Sequence, residues 1–310
     1  MKVCVVGAGG VGGCLGARLA AAGHDVAFIA RGDHLRTLRQ DGLRLVSDRG
    51  DVALDRVTAT DDPAEVGPVG LVLFTVKMRD CADAAAACRP LIGAESVVLP
   101  LLNGVESHEI LRDVLGPAPV LGGTAYISAV IDRPGVIRQT GAFERILFGE
   151  LGGEASARVQ QLESVLSGAG IGAAASDRIL AEIWEKFILL ATNAGVTTVT
   201  RLPIGILRDC AGTRRLIDLG MREVEAVARA AGIDVAADIV DRHRDFYATL
   251  PAEMRSSMQV DLDRGRPLEL PWLSGAVVRL GVELGIPTPV HEVIALALAP
   301  FADGAPVPAA

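Results

Sequence analysis

The chain has 310 residues and a mass of 32.2 kDa, about twice the usual domain size, so its length predicts two domains. Half of the residues are hydrophobic and 22% are charged, a balance that excludes a disordered chain. A formal net charge of −8 and a pI near 5.2 exclude an electrostatic nucleic-acid binder.

Through the first half, short β-branched runs alternate with helical patterns. Residues 2–6 read as a strand, 11–22 as a helix and 25–30 as a second strand. Residues 71–76 and 96–102 are further apolar runs of strand length, with an alanine-rich helical stretch at 80–88 between them. Strands alternating with helices predict a parallel sheet covered on both faces. The longest uncharged run, 114–131, is broken by Gly116, Pro117, Pro119, Gly122 and Gly123. It reads as loop plus strand rather than as a membrane span. Residues 135–149 hold two short alternating runs, and 155–166 return to helical spacing.

From residue 177 onward strand signals are scarce. Helices are expected at 177–193, 211–231, 237–248, 256–264, 272–284 and 290–301, punctuated by Pro203, Pro251, Pro267, Pro271 and Pro287. The expected organisation is an α/β domain with a doubly wound sheet over 1–177, then an all-helical domain over 178–302. A Gly/Pro/Ala-rich tail over 303–310 is expected to be disordered.

Cys4, Cys14, Cys81, Cys88 and Cys210 are odd in number and never in CxxC spacing, as expected for reduced residues of a cytoplasmic protein. The N-terminal apolar stretch turns glycine-rich too soon for a secretory signal. His24, His34, His108, His243 and His291 show no metal-ligand spacing, and neither a GxSxG elbow nor a P-loop occurs, so no metal is expected.

Gly7-Ala8-Gly9-Gly10-Val11-Gly12 fits GxGxxG between a strand and a helix. Glycines there let the backbone turn tightly and approach a pyrophosphate at the helix N-terminus, so a Rossmann-type dinucleotide site is expected. The second strand ends in Ala30-Arg31-Gly32, without the acidic residue that holds the ribose of NAD. Arg31 could pair with a 2′-phosphate, which favours NADPH; alternatively Arg31 is a surface arginine and Asp33 takes the ribose. Lys77 and Asn103 follow strands at their carboxyl ends, where ligands of such sheets bind, although a loop lysine and an Asn-Gly turn are equally open readings.

Trp184-Glu185-Lys186-Phe187 leads into a helical stretch, 188–200, with no charge at all. A helix apolar around most of its circumference is buried, which leaves Lys186 at the edge of an interior segment. It could be a desolvated proton donor, or it could pair with Glu182 on an exposed face. Ser256 or Ser257 could cap the next helix, and Glu269 could be a solvated carboxylate.

Taken together, Gly7-x-Gly9-x-x-Gly12, Arg31, Lys77, Asn103-Gly104, Trp184-Glu185-Lys186, Ser256-Ser257-Met258 and Glu269 resemble the ketopantoate reductase (2-dehydropantoate 2-reductase) family. They run in family order to about residue 300, and Ser257 to Glu269 keeps the family interval of twelve. The resemblance implies a Rossmann domain that binds NADPH through Gly7, Gly9, Gly10, Val11, Gly12, Arg31, Lys77 and Asn103. It also implies a helical domain, and a substrate cleft between the two. By the same resemblance Lys186 is the general acid for the ketone oxygen, and Asn103 lines the nicotinamide and substrate region. Ser257 and Glu269 hold the substrate, the glutamate at its hydroxyl.

One departure bears on specificity. Well-known members of the family carry asparagines four and eight residues after the lysine, where this chain has Leu190 and Ala194. Asn193 lies one position away, a rotation of about 100° on a helix, and is the candidate replacement. The expected activity is NADPH-dependent reduction of ketopantoate to pantoate on the pantothenate and coenzyme A route. The alternatives are reduction of another 2-oxo or β-oxo acid, or a non-catalytic NADPH-binding sensor. The expected partner is a small-molecule 2-oxo acid, with no nucleic acid and no membrane; the chain could act alone or as a homodimer.

Overall fold

The computed structural model describes residues 1–306, apart from the side chains of 142 and 143. The chain divides into two compact units, residues 1–102 with 106–179, and residues 103–105 with 180 onward.

The first unit contains β1 (Lys2–Val6), α1 (Gly10–Ala21), β2 (Asp25–Ile29), α2 (Gly32–Asp41), β3 (Leu43–Ser47), β4 (Val52–Leu54) and β5 (Thr58–Thr60). It continues through β6 (Val69–Phe74), α3 (Cys81–Ala87), β7 (Ile92–Pro100), α4 (Ser107–Leu115), β8 (Gly122–Arg133), β9 (Val136–Gly149), α5 (Ala157–Gly168) and β10 (Ala173–Ala175). Five strands form a parallel sheet in the order β5-β2-β1-β6-β7, as the alternation of strands and helices predicted. The order reverses between β1 and β6, the switch at which doubly wound sheets bind ligands.

A second sheet was not foreseen. The two short runs expected at 135–149 fall within one 14-residue strand, β9, which pairs with β8 over 136–139 and again over 144–149, with a register shift between the two stretches. Its other edge pairs with β3 near its start and with β10 near its end, both in parallel. Helix α1 is pressed between the two sheets, which its glycines permit. A Cβ at Gly16 would come within 2.4 Å of the Phe28 ring on one side, and a Cβ at Gly13 within 2.7 Å of Ile137 on the other.

The two paired stretches of β9 meet at a buried polar cluster. Gln139 and Glu144 are buried and meet Arg18, which is only 8% exposed. Arg18 donates to Gln139 Oε1 at 2.9 Å and to Ser47 Oγ at 3.0 Å, and Gln139 Nε2 donates to Glu144 Oε2 at 3.0 Å. Arg49 also pairs with Glu144, whose Oε1 accepts from Gly172 N–H at 3.2 Å. One buried carboxylate thus joins α1, β9, the turn after β3 and the entry to β10.

The second unit is helical: α6 (Ile179–Thr200, which enters it at Leu180), α7 (Ile204–Asp209), α8 (Ala211–Ala230), α9 (Ile239–Thr249), α10 (Ser257–Asp263), α11 (Ser274–Leu284) and α12 (Pro289–Leu298). Its centre is fastened by His291, which is 0% exposed, with Nδ1 at 3.2 Å from Ser274 Oγ and Nε2 at 3.2 Å from the Gly220 carbonyl oxygen. Burial pushes this imidazole down to about 4, so it is neutral near pH 7. No helix among the described residues is long and apolar enough to cross a membrane. The tail expected to be disordered from residue 303 is held back over its first residues, where Ala305 N–H donates to the Gly265 carbonyl at 3.1 Å. Residues 307–310 lie outside the described residues.

Removing the buried carboxylate should leave Arg18 and Arg49 without their counter-charge. Glu144→Ala is expected to destabilise the first unit by about 3–5 kcal/mol, measured as a lower denaturation midpoint in urea. An unchanged midpoint would show that Glu144 does not hold the two sheets to α1.

Candidate functional site

The glycine-rich turn leaves β1 at Gly7, whose φ of +92° lies in the region that favours glycine. Thr75 Oγ1 donates to the Gly7 carbonyl at 2.8 Å, tying the turn to the end of β6. Each glycine of the motif is held for a different reason. A Cβ at Gly7 would lie 2.9 Å from Val76 N, and one at Gly12 would lie 2.3 Å from Thr75 Oγ1. Gly10 faces β8, where a Cβ would come within 2.0 Å of the Ala129 carbonyl oxygen. Gly9 alone is open, with nothing nearer than 4.0 Å to its Cβ position. Bare backbone at the start of a 12-residue helix fits the approach of a dinucleotide pyrophosphate. Val11 is half-buried on the first turn of α1.

Arg31 is exposed, two residues beyond β2 and at the N-cap of α2. Asp33, its rival for the ribose, is paired with Arg36. Lys77 is exposed and stands three residues beyond β6.

The second unit gathers the remaining residues around α6. Trp184 and Phe187 are buried edge to face, with ring centroids 5.8 Å apart. Glu185 accepts from the Ala236 N–H at 2.9 Å, which fixes the rotation of the helix. Lys186 is left half-buried, and its Nζ donates to Asn103 Oδ1 at 3.2 Å. Asn103 enters this unit as part of residues 103–105. The adjoining Gly104 has φ of +99° and sits close to the Trp272 carbonyl, so a short turn presents Asn103 beside the segment that carries Glu269. Glu269 is 7% exposed and caps the 3-10 turn Leu270–Trp272, so it is not the solvated carboxylate that its sequence context allowed.

Burial lowers the Lys186 ammonium to about 8, and the negative charge of Glu269 opposes that shift. Lys186 therefore remains cationic at neutral pH, yet close enough to its titration point to release a proton readily. The cap of α10 is Ser256, which accepts from Gln259 N–H at 3.1 Å, while Ser257 is the exposed first residue of the helix.

The sequence model of the family described as Ketopantoate reductase PanE/ApbA matches residues 3–153, and that of its C-terminal region matches residues 178–301. The chain belongs to the ketopantoate reductase family. It is accordingly an oxidoreductase acting on CH–OH groups. It is 31% identical over 294 residues to an uncharacterized oxidoreductase, YkpB, of Bacillus subtilis, covering 95% of this chain and 96% of that one. It is 32% identical to a 2-dehydropantoate 2-reductase of Halobacterium salinarum, covering 95% and 97%. Among solved structures, a PanE/ApbA family ketopantoate reductase from Ralstonia eutropha superposes with a TM-score of 0.89 at 33% identity, covering 97% and 98%.

Within this ketopantoate reductase fold, Asn193 lies nearer the helix face of Lys186 than Ala194 does. At about 100° per residue, position 193 lies only about 20° around α6 from Lys186, whereas 194 lies about 80° away. Ala194 is buried, and Asn193 is half-buried with its Oδ1 enclosed and unpaired among the described residues. Sequence reading passed over Gln259, which is fully buried. Its signal was the Ser256-Ser257-Met258-Gln259 spacing, a capping box.

Lys2, Lys77 and Lys186 are the only lysines of the chain, so few resonances need assigning to follow the titration of Lys186. After reductive 13C-methylation, which also labels the N-terminal amine, the resonance that vanishes in Lys186→Ala should titrate near pH 8. Glu269→Gln should move it to lower pH, because the charge that holds the proton is gone. Titration at the ordinary value of 10.5 would show that Lys186 is fully solvated.

Proposed function

We propose that the protein reduces 2-dehydropantoate to pantoate with NADPH, in the cytoplasm, on the route to pantothenate and coenzyme A. The observation that carries this reading is the half-buried Lys186 ammonium, held by Asn103 and acted on by the buried Glu269. Free cysteines support the location: burial pushes Cys4 and Cys88 up to about 12, and Cys14 and Cys81 to about 11, which keeps these thiols inert and protonated.

NADPH, when bound, supplies the hydride for the ketone carbon. The open backbone at Gly9 and the first turn of α1 would hold its pyrophosphate, with Gly10 and Val11 in that turn. Arg31 would pair with the 2′-phosphate, a role supported by the engagement of Asp33 with Arg36. Lys77 and Asn103 would complete the cofactor contacts. Lys186 delivers a proton from Nζ to the ketone oxygen as negative charge develops there. Asn103 orients that ammonium through its Oδ1, leaving its amide N–H groups for the substrate. Ser257 and Asn193 bind the substrate, and Glu269 both sustains the charge on Lys186 and accepts a hydrogen bond from the substrate hydroxyl.

Leu190 and Ala194 favour a second reading, in which the pocket suits a different 2-oxo or β-oxo acid. Following NADPH oxidation across a panel of oxo acids that includes 2-dehydropantoate separates the two, and turnover of none of them would sink both.

Lys186→Ala should lower kcat by about 10²–10⁴, the usual contribution of a general acid, with NADPH binding nearly unchanged. In the unmodified protein the reductase rate should fall as pH rises through about 8, where Lys186 loses its proton. A folded Lys186→Ala that keeps most of its kcat would remove the lysine from the chemistry.

Arg31→Ala should narrow the preference for NADPH over NADH by about 10- to 150-fold, mainly through the KM for NADPH. Equal use of both cofactors by the unmodified protein would count against Arg31 as the phosphate contact.

A further inference from the structure

The turn that joins β8 to β9 is fastened to α2 by one imidazole. Gly135 N–H donates to His34 Nδ1 at 3.1 Å, and the Gly135 carbonyl accepts from Arg44 N–H at 2.9 Å. Gly135 has φ of +74°, and a Cβ there would come within 2.6 Å of Thr37 Cγ2, so this turn lies directly on α2. The His34 ring is half-buried. Burial pushes it below its ordinary value, and the Ala8 carbonyl of the glycine-rich turn is the acceptor that opposes that shift. The ring is therefore neutral near pH 7, with Nδ1 accepting and the hydrogen on Nε2. The approach to Ala8 falls short of a full hydrogen bond, and Nε2 is enclosed without a partner among the described residues.

The same hairpin touches the glycine-rich turn a second time. The Ala129–Val130 peptide of β8 occupies the place a Gly10 Cβ would take, 2.0 Å from the Ala129 oxygen and 2.7 Å from the Val130 nitrogen. His34 thus faces Ala8 and holds the far end of the hairpin whose near end packs on Gly10. A turn whose amides are set before a ligand arrives binds it more tightly, because less ordering is left to be done on binding.

We propose that His34 is a positioning residue for the dinucleotide: its neutral imidazole holds the β8–β9 hairpin against the glycine-rich turn and so presets the amides that receive the pyrophosphate. This rests on the reading of that turn as the nicotinamide dinucleotide site. His34 acts through the backbone on either side of it, so its effect falls on cofactor affinity and spares the chemical step. It also falls equally on NADPH and NADH, which share the pyrophosphate, whereas Arg31 would distinguish them by the 2′-phosphate.

The test compares the unmodified protein with His34→Leu, which removes the acceptor, and His34→Asn, which keeps one at the same number of bonds from the backbone. Its readouts are ligand-free Tm, hydrogen exchange of the ligand-free hairpin, Kd for NADPH and for NADH by fluorescence, and kcat at saturating cofactor. His34→Leu should speed exchange at the hairpin and raise both Kd values about fivefold, the worth of one neutral hydrogen bond, with kcat nearly unchanged. His34→Asn should restore most of the protection and most of the affinity. Should the leucine variant not fold, His34→Ala, which only truncates the ring, takes its place. Faster exchange with both Kd values unchanged would make His34 a structural pin of the hairpin and overturn the proposal. A Kd raised for NADPH alone would move His34 to the 2′-phosphate, and an asparagine variant no better than leucine would remove the acceptor from the account; either result overturns it. Failure of the unmodified protein to bind either dinucleotide would defeat the reading of the glycine-rich turn itself.

Discussion

Keeping an ammonium charged at the edge of an apolar helix is the constraint around which the second unit is arranged. Desolvation drives the Lys186 proton off, and only a counter-charge that is itself shielded from water can oppose it effectively. Glu269 meets that need because it is buried in the turn that ends with Trp272, where a solvated carboxylate would be screened. Asn103 supplies a neutral acceptor, which fixes the position of Nζ without adding a second negative charge that would raise the lysine further. The result is a cation held at about 8, a balance between burial and one carboxylate.

The same helix has to bury its hydroxyl groups without leaving them stranded. Beyond Lys186 it is uncharged, and its threonines return their hydroxyls to the backbone. Thr192 bonds the Ile188 carbonyl at 2.9 Å, Thr198 that of Ala194 at 2.6 Å and Thr200 that of Val196 at 2.7 Å. His291 is neutral because burial outweighs the hydrogen bonds of its ring, which faces the Gly220 carbonyl and two hydroxyls. The first unit solves the opposite problem. There a buried carboxylate, Glu144, is matched by Arg18 and Arg49, and α1 is thereby clamped in the orientation that presents its N-terminus.

How legible these arrangements were depended on the length and polarity of each segment. Strand β1 and helix α8 could be read almost to the residue, because each carries a full apolar period and clear flanking breaks. Strands β4 and β5 have three residues each and α7 six, too short for a period to register. Strand β9 could be read only as two runs because its register shifts between Gln139 and Glu144, whose burial depends on an arginine more than a hundred residues earlier. At the site, Lys186, Asn103 and Glu269 could be named from the chain and the family pattern. Their hydrogen bond and shared charge could not, since these arise only when the 103–105 turn docks beside Trp272.

Asn193 shows where counting along a helix misleads. Measured from Ala194, a one-residue offset looks like a displaced side chain. Measured from Lys186, seven residues close nearly two whole turns and eleven close about three. Lys186, Leu190, Asn193 and Thr197 therefore form one line down α6, and Thr197 hands that line to α10 through Ser256. A carboxamide at 193 with Leu190 before it makes this line apolar nearer the lysine and polar farther away. Along α6 the ammonium therefore comes first, then hydrocarbon, then a carboxamide whose Oδ1 is enclosed, so three chemically different groups share one face of a single buried helix.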